Sequence, residues 1–201
     1  MIDSIDNKSV LLHACCGPCA EWPLNVLAGE GLDVAVFFFN PNIHPKFEWE
    51  RRKTNLKILT QKRGIDLIVD DGYAEDLWMN NAWKDAYESR CHMCYDIRMK
   101  KVAIEAKARG FSAFTTTLLV SIYQKHELIV EAANRASAEV GIPFLYRDFR
   151  EGFRKGQQMA REDGLYRQKY CGCIMSLKES TFKDKIYESF SGSDAATDKV
   201  L

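Results

Sequence analysis

Three absences narrow what this sequence can be: it has no net charge, no long apolar run, and no cysteine outside three short clusters. Lys and Arg number 28, as do Asp and Glu, so gross charge does not advertise a nucleic-acid partner. No apolar stretch approaches the roughly 18 to 20 residues that a membrane helix needs, so no membrane partner is expected. The opening Met-Ile-Asp-Ser-Ile-Asp-Asn-Lys lacks the basic region and apolar core of a secretory signal. The expected compartment is the cytoplasm, where thiols stay reduced. An odd count of seven cysteines also argues against a simple disulfide framework. There is no internal repeat and no linker composition. The 201 residues, 46% hydrophobic and 28% charged, suit one globular unit over residues 1–190, large enough to bury a real core, with a disordered tail over 191–201.

The cysteines form Cys15-Cys16-x-x-Cys19, Cys91-x-x-Cys94 and Cys171-x-Cys173. A chain using cysteine as a small core residue would scatter it. Here each sulfur has a close sulfur neighbour, as a metal centre or dithiol site requires. Only the fold can bring the three groups together.

The hydrophobic pattern alternates between strand and helix. Residues 9–14 read as a short buried strand. Residues 33–39 are almost continuously apolar, as in strands covered on both faces, and Asn40-Pro41-Asn42 stops them. A charged helix is predicted over 46–63, ended by Gly64, then a third strand over 65–69. Tyr95, Met99, Val102 and Ala106 recur with helical period up to Gly110. Residues 111–119 read as a strand. Ile129, Ala133, Ala136 and Val140 mark a helix closed by Gly141 and Pro143. A fifth strand over 144–149 and a helix to about residue 163 follow. Residues 73–90 are rich in aromatics and carry no clear period. Such alternation predicts an α/β fold with a mostly parallel sheet, whose sites gather at the carboxyl ends of strands. Cys15, Cys16 and Cys19 follow the first strand, Asn40 and Asn42 the second, and Thr115, Thr116, Thr117 and Ser121 end or follow the fourth, so one crevice can hold them all.

Cys16-Gly-Pro-Cys19 is the redox motif of thioredoxins, but the vicinal Cys15 and the four downstream cysteines are foreign to that pattern. Pro23 places the following helix start near itself, with Cys19 in a turn. Cys91 and Cys94 precede the helix beginning near Tyr95, whose N-terminus favours thiolate charge. Gly172 permits a sharp path that turns Cys171 and Cys173 into one site. Four thiolates complete a [4Fe–4S] cluster and three remain for an open metal site. One tetrahedral zinc would leave three thiols unexplained, and two zincs would need His13, His92 or a carboxylate. Iron–sulfur is favoured over zinc. His13 faces the same side as Cys15 on an extended strand; it can orient a ligand, deliver a proton, or be a buried donor to a backbone carbonyl. Arg90 can neutralise thiolates or bind phosphate. His126 reads as a surface residue. Over 147–170 seven basic residues outnumber four acidic ones, with Tyr146, Phe149, Phe153, Tyr166 and Tyr170 interleaved. That mixture suits phosphate and base contacts, or a solvated helix.

Five ordered segments carry a family resemblance. They are Leu-Leu-His13-Ala-Cys15-Cys16-Gly-Pro-Cys19, Phe39-Asn40-Pro41-Asn42-Ile43, Arg90-Cys91-x-x-Cys94, Thr115-Thr116-Thr117-Leu118, and Gly164-Leu165-Tyr166-Arg167-Gln168-x-Tyr170-Cys171-Gly172-Cys173. Over about residues 9–176 the chain resembles the cobalamin-independent epoxyqueuosine reductases, the QueH family. The resemblance implies a Rossmann-like, HUP-type three-layer domain, a [4Fe–4S] cluster with an adjacent mononuclear iron, and a tRNA substrate with a GUN anticodon. It implies the last step of queuosine synthesis, in which the epoxide oxygen of epoxyqueuosine at the wobble position is removed with electrons from an external donor. On this reading all seven cysteines bind metal: Cys16, Cys91, Cys94 and Cys173 hold the cluster, and Cys15, Cys19 and Cys171 the lone iron. His13, Cys15, Cys19 and Cys171 act in catalysis. Asn40, Asn42, Arg90, Thr116, Thr117, Ser121, Arg154, Lys155, Tyr166 and Arg167 bind the substrate. Two departures stand out: Ser121-Ile122-Tyr123 lacks the proline that many relatives carry after the serine, and the position of Cys19 can be aspartate. The alternatives are a thiol–disulfide oxidoreductase using Cys16 and Cys19, and a zinc-stabilised RNA-binding module.

Overall fold

The computed structural model describes residues 9–191. Strand β1 (Ser9–His13) leads into helix α1 (Gly17–Gly29), β2 (Asp33–Phe38), α2 (Lys46–Arg63) and β3 (Leu67–Val69). Then come α3 (Glu75–Met79), α4 (Arg90–Ala108), β4 (Ala113–Thr116), a 3-10 turn (Thr117–Val120) and α5 (His126–Val140). Helices α6 (Phe153–Glu162), α7 (Ile174–Lys178) and α8 (Lys183–Ser191) complete the order. The strands form one all-parallel sheet in the order β3-β2-β1-β4. Helix α1 packs on α2 and α6, while α4 packs on α5 and against β1 and β4. The α/β class read from the alternation of elements is therefore the observed one.

The sheet explains the apolar runs. Val10, Leu11, Leu12, Val36, Phe37 and Phe38 are fully buried, as strands flanked by helices on both faces must be. Each such side chain contributes about 1.5–3 kcal/mol by leaving water. The chain crosses from β1 towards β2 in one direction and reaches β4 from the other, so the strand order reverses between β1 and β4. Their carboxyl ends meet there, with His13 paired to Thr116 in register. A crevice at such a reversal is the preferred ligand position in open parallel sheets.

Several boundaries differ from expectation. Helix α1 starts at Gly17, not near Pro23; Pro18 takes the first-turn position that proline favours, and Pro23 lies inside the helix. Pro23 has no N–H for the carbonyl four residues back, that of Cys19. Helix α4 starts at Arg90, so Cys91 and Cys94 lie within its first turns instead of before it. The fifth strand shrinks to a single parallel bridge between Phe114 and Phe144. The aromatic-rich stretch 73–90 holds only the short α3, whose Trp78 anchors a second apolar cluster with Met93, Tyr170, Ile174 and Leu177. The expected tail enters α8 as far as Ser191 and otherwise lies outside the described residues.

Candidate metal centre

Cys15, Cys16 and Cys19 stand at the end of β1 and the start of α1. Cys16 is the residue preceding the helix, and Cys19 sits in its first turn, where partial positive charge from unpaired N–H groups favours thiolates. Their three sulfurs lie within 4.8 Å of one another, all buried. The Cys15 and Cys16 sulfurs are 3.7 Å apart. Two sulfurs each about 2.3 Å from one tetrahedral ion stand about 3.8 Å apart, so the spacing is that of thiolates sharing a metal, and all seven cysteines are free thiols.

The other four thiols approach from α4 and the 171–173 turn. Cys94 and Cys173 are buried, Cys91 half-buried, and Cys171 exposed as a residue. The Cys171 sulfur nonetheless acts electrostatically on Cys94, and Cys173 on both Cys91 and Cys94. A dense set of contacts fixes the turn. Arg52 donates from Nη1 to the Cys171 carbonyl (3.0 Å) and from Nη2 to the Tyr170 carbonyl (3.1 Å). The His44 amide donates to the Gly172 carbonyl at 2.8 Å, and the Ile174 amide donates to His44 Nδ1 at 3.1 Å. Tyr170 Oη donates to the His44 carbonyl. Gly172 has φ +133°, and a Cβ there would stand 3.2 Å from both Arg52 Nη1 and Ile43 Cγ1. Only glycine fits this sharp passage, as its placement between two cysteines suggests.

Between the two thiol groups lies Arg98, 1% exposed. Its guanidinium donates to Cys94 Sγ (3.6 Å) and Asn40 Oδ1 (2.9 Å), with Nε 3.4 Å from His13 Nε2. No carboxylate pairs with it among the described residues. A buried charge left unbalanced is strongly unfavourable, so its counter-charge is thiolate. The shifts follow: hydrogen bonds from Cys16 and Cys19 hold the Cys15 thiol well below its ordinary value, with Arg98 and Arg52 adding to the effect. Burial raises Cys16 and pushes Cys94 up to about 12. Burial also raises Cys91 and Cys171. Hydrogen bonding to Cys15 raises Cys19. Dithiol exchange needs an accessible, low-pKa attacking thiol. Cys16 is 1% exposed and shifted the other way.

Two glutamines cap the exposed flanks: Gln168 Nε2 lies 3.2 Å from Cys19 Sγ and Gln124 Nε2 3.3 Å from Cys171 Sγ. Tyr95 Oη donates to Gln124 Oε1 at 2.6 Å, which turns the amide nitrogen towards the sulfur. His13 is fully buried, and burial, with Arg98 next in importance, lowers its pKa to about 3. Thr116 Oγ1 accepts from the Leu118 amide (3.1 Å) and lies 2.9 Å from His13 Nδ1, while His13 Nε2 lies 3.1 Å from the Phe39 carbonyl.

The remaining expected residues divide. Asn40 donates to the Ala14 carbonyl at 2.9 Å. Thr117 Oγ1 accepts from the Cys15 amide at 3.4 Å. Both are buried beneath the thiols, and Asn42 Oδ1 is buried without a partner. Ser121 Oγ caps the Tyr123 amide. Arg90 is paired with Glu179 at 2.5 Å. Tyr166 donates to Glu48 Oε2 (3.0 Å) under Arg51. In the 147–170 stretch Arg147 and Arg150 are spent on Glu30 and Asp148. Lys155 lies over the Trp22 ring. Arg154 and Arg167 are exposed. His126 is buried, 3.1 Å from Tyr146 Oη, and is not the surface residue expected. Sequence reasoning missed Arg98, Arg52, Glu48, Gln124 and Gln168 as site residues. Two shallow depressions, around Asp33, Arg63 and Asp66 and around Lys53 and Asp71, hold none of the cysteines. No helix among the described residues is long and apolar enough to cross a membrane.

Fold and site together define an α/β protein with a thiol-rich centre able to hold metal at the reversal point of a parallel sheet. The chain belongs to the epoxyqueuosine reductase QueH family, whose model matches residues 10–179. It is 32% identical over 170 residues to the epoxyqueuosine reductase QueH of Dehalococcoides mccartyi, covering 85% of this chain and 93% of that one. The Haemophilus influenzae protein of the same name is 33% identical over 182 residues, covering 87% and 74%. That of Thermotoga maritima is 31% identical over 179 residues, covering 85% and 91%. Among solved structures, a predicted tRNA methyltransferase subunit from Methanocaldococcus jannaschii is similar at TM-score 0.47 and 13% identity, over 76% of this chain and 75% of that chain.

Proposed function

We propose that residues 1–190 act as one catalytic unit, an epoxyqueuosine reductase acting on tRNA with a GUN anticodon. The reaction converts the epoxide to an alkene, consumes two electrons and two protons, and releases water. The observation that supports the reading is the gathering of three thiol groups about one buried guanidinium, in a chain of this family. The donor set fits an iron–sulfur centre: thiolates are its ligands, and Arg98 offsets an anionic assembly inside the protein. The seven cysteines would hold a [4Fe–4S] cluster and a neighbouring iron. Because Cys15, Cys16 and Cys19 share one triangle, we assign those three to the single iron and Cys91, Cys94, Cys171 and Cys173 to the cluster, in place of a division that separates Cys16 from its neighbours. When bound, the centre supplies electrons, passed singly from an external reductant, and Lewis acidity towards the epoxide oxygen.

The chain's own residues prepare that chemistry. Asn40 holds Arg98 against Cys94. Thr117 holds Cys15, and Gln124 and Gln168 donate to Cys171 and Cys19. His13 stays neutral with both ring nitrogens engaged, so it positions the end of β1 rather than delivering a proton. The modified base must leave the anticodon stack to reach the thiols, as bases read or altered by proteins generally do. Exposed Arg154, Lys155 and Arg167 are the proposed contacts to loop phosphates.

The test is anaerobic purification with iron, sulfide and zinc analysis, a visible spectrum before and after dithionite, and nucleoside analysis of tRNA carrying epoxyqueuosine. About five irons, bleaching on reduction, and formation of queuosine are expected. A colourless zinc protein that stays inactive after anaerobic iron–sulfide reconstitution would refute the reading and favour the zinc module.

A further inference from the structure

The mouth of the centre carries an aromatic side chain that the fold itself does not use. Tyr123 is 81% exposed and Ile122 54%, one and two residues before Gln124, whose amide touches Cys171. The loop that presents them is held in place. The Tyr123 amide donates to Ser121 Oγ at 3.3 Å and the Lys125 amide to Tyr95 Oη at 3.3 Å. Gln124 is tied to Tyr95 and Cys171 at the same time. The Tyr123 ring meets Phe153 edge-on, centroids 5.7 Å apart at 84°, so Phe153 braces it from one side while most of its surface stays in water. Lys125 acts electrostatically on Cys91. Neither Lys125 nor Arg154, the residue after Phe153, has an ion-pair partner among the described residues.

We propose that Tyr123 is a stacking platform for an unpaired nucleobase next to the base undergoing reaction. The proposal rests on the reading of the protein as an enzyme acting on tRNA. An exposed ring on a fixed loop, with unpaired cations beside it, is the arrangement by which proteins hold single-stranded RNA: the π-face accepts any base and the cations meet phosphate. Drawing one base of a loop into the thiol crevice breaks its stacking with its neighbours. A platform one residue from the Cys171 contact can replace that stacking at the rim. Tyr123 is then a binding residue, outside the redox chemistry.

The experiment uses the full chain, metal-loaded anaerobically, and a synthetic anticodon stem–loop with 2-aminopurine on either side of the wobble nucleotide. Wild type and Tyr123→Phe should quench the fluorophore at one of the two positions and bind alike within about twofold. Tyr123→Leu, which keeps apolar bulk and removes the π-face, should bind about tenfold more weakly and lose the quenching, with iron content and visible spectrum unchanged. Equal quenching and affinity in Tyr123→Leu would overturn the platform while leaving the enzymatic reading intact. A wild-type protein that neither binds the stem–loop nor converts epoxyqueuosine would overturn both.

Discussion

Replacing Arg98 with Met removes a buried cation of the centre that has no carboxylate partner among the described residues. The guanidinium sits 3.6 Å from Cys94 Sγ, and its charge also lowers the pKa of Cys15. The charge-assisted hydrogen bond to Cys94 Sγ is worth about 1.5–3 kcal/mol. The sign is fixed: a cation stabilises thiolate, so its loss moves thiol midpoints upward. In metal-free protein the thiolate absorbance near 240 nm, followed against pH, should show a low-lying first step from Cys15 in wild type. In Arg98→Met that step should move upward, because Arg98 is one of the charges that hold Cys15 down. Arg98→Lys should keep most of the low midpoint, since it retains charge and loses only the planar fork. Far-ultraviolet circular dichroism checks that the variants remain folded. Superimposable titrations of wild type and folded Arg98→Met would refute the view that Arg98 is balanced by thiolate.

Other outcomes follow from the same geometry. His13 has a folded pKa of about 3 against 6.5 unfolded, so the unfolded chain binds the extra proton and stability falls as pH drops below 6.5. Between pH 7 and 5 this one group should cost about 2 kcal/mol in urea unfolding, a slope that His13→Gln should reduce and that an unchanged slope would contradict. Gly172→Ala, at φ +133° and 3.2 Å from Arg52 Nη1, should cost about 1–3 kcal/mol and lower iron retention on gel filtration; wild-type stability and metal content would count against the tight passage. Combined Arg154→Ala, Lys155→Ala and Arg167→Ala should flatten the salt dependence of tRNA binding by two to three phosphate contacts, each about 0.9 or less in log–log slope. An unaltered slope would remove this stretch from the interface.

The sequence was most legible where chemistry clusters along the chain. The first cysteine group, the strand-end asparagines and the threonines of β4 were placed together by their positions after strands, whereas the other two cysteine groups come in from α4 and the 171–173 turn. What was hidden depends on distance through space. Arg98 lies four residues after Cys94 and Arg52 four after Glu48, so both pairs share a helix face; that spacing was the available signal, but a charged helix reads as solvated unless its burial is known. Gln124 and Gln168 carry no signal beyond nearness to the motifs. The fifth strand failed because residues 145–149 leave the sheet after one bridge at Phe144, and alternation of apolar residues alone does not reveal a missing partner. The start of α1 was misplaced because Cys16, the residue heading it, lacks the usual Ser, Thr, Asp or Asn mark, whereas α4 is headed by Ser89, which carries that mark but makes no side-chain capping bond.

The stitching of the 171–173 turn onto His44 and Arg52 has a consequence for the order in which the centre is made. Cys15, Cys16 and Cys19 belong to the first strand–helix unit. Cys171 and Cys173 acquire their positions only when a much later part of the chain returns to the loop before α2. During synthesis the first three thiols therefore emerge long before the last pair exists. A stray ion with high thiolate affinity has its opportunity in that interval, and delivery of the intended metal after the turn has docked avoids it.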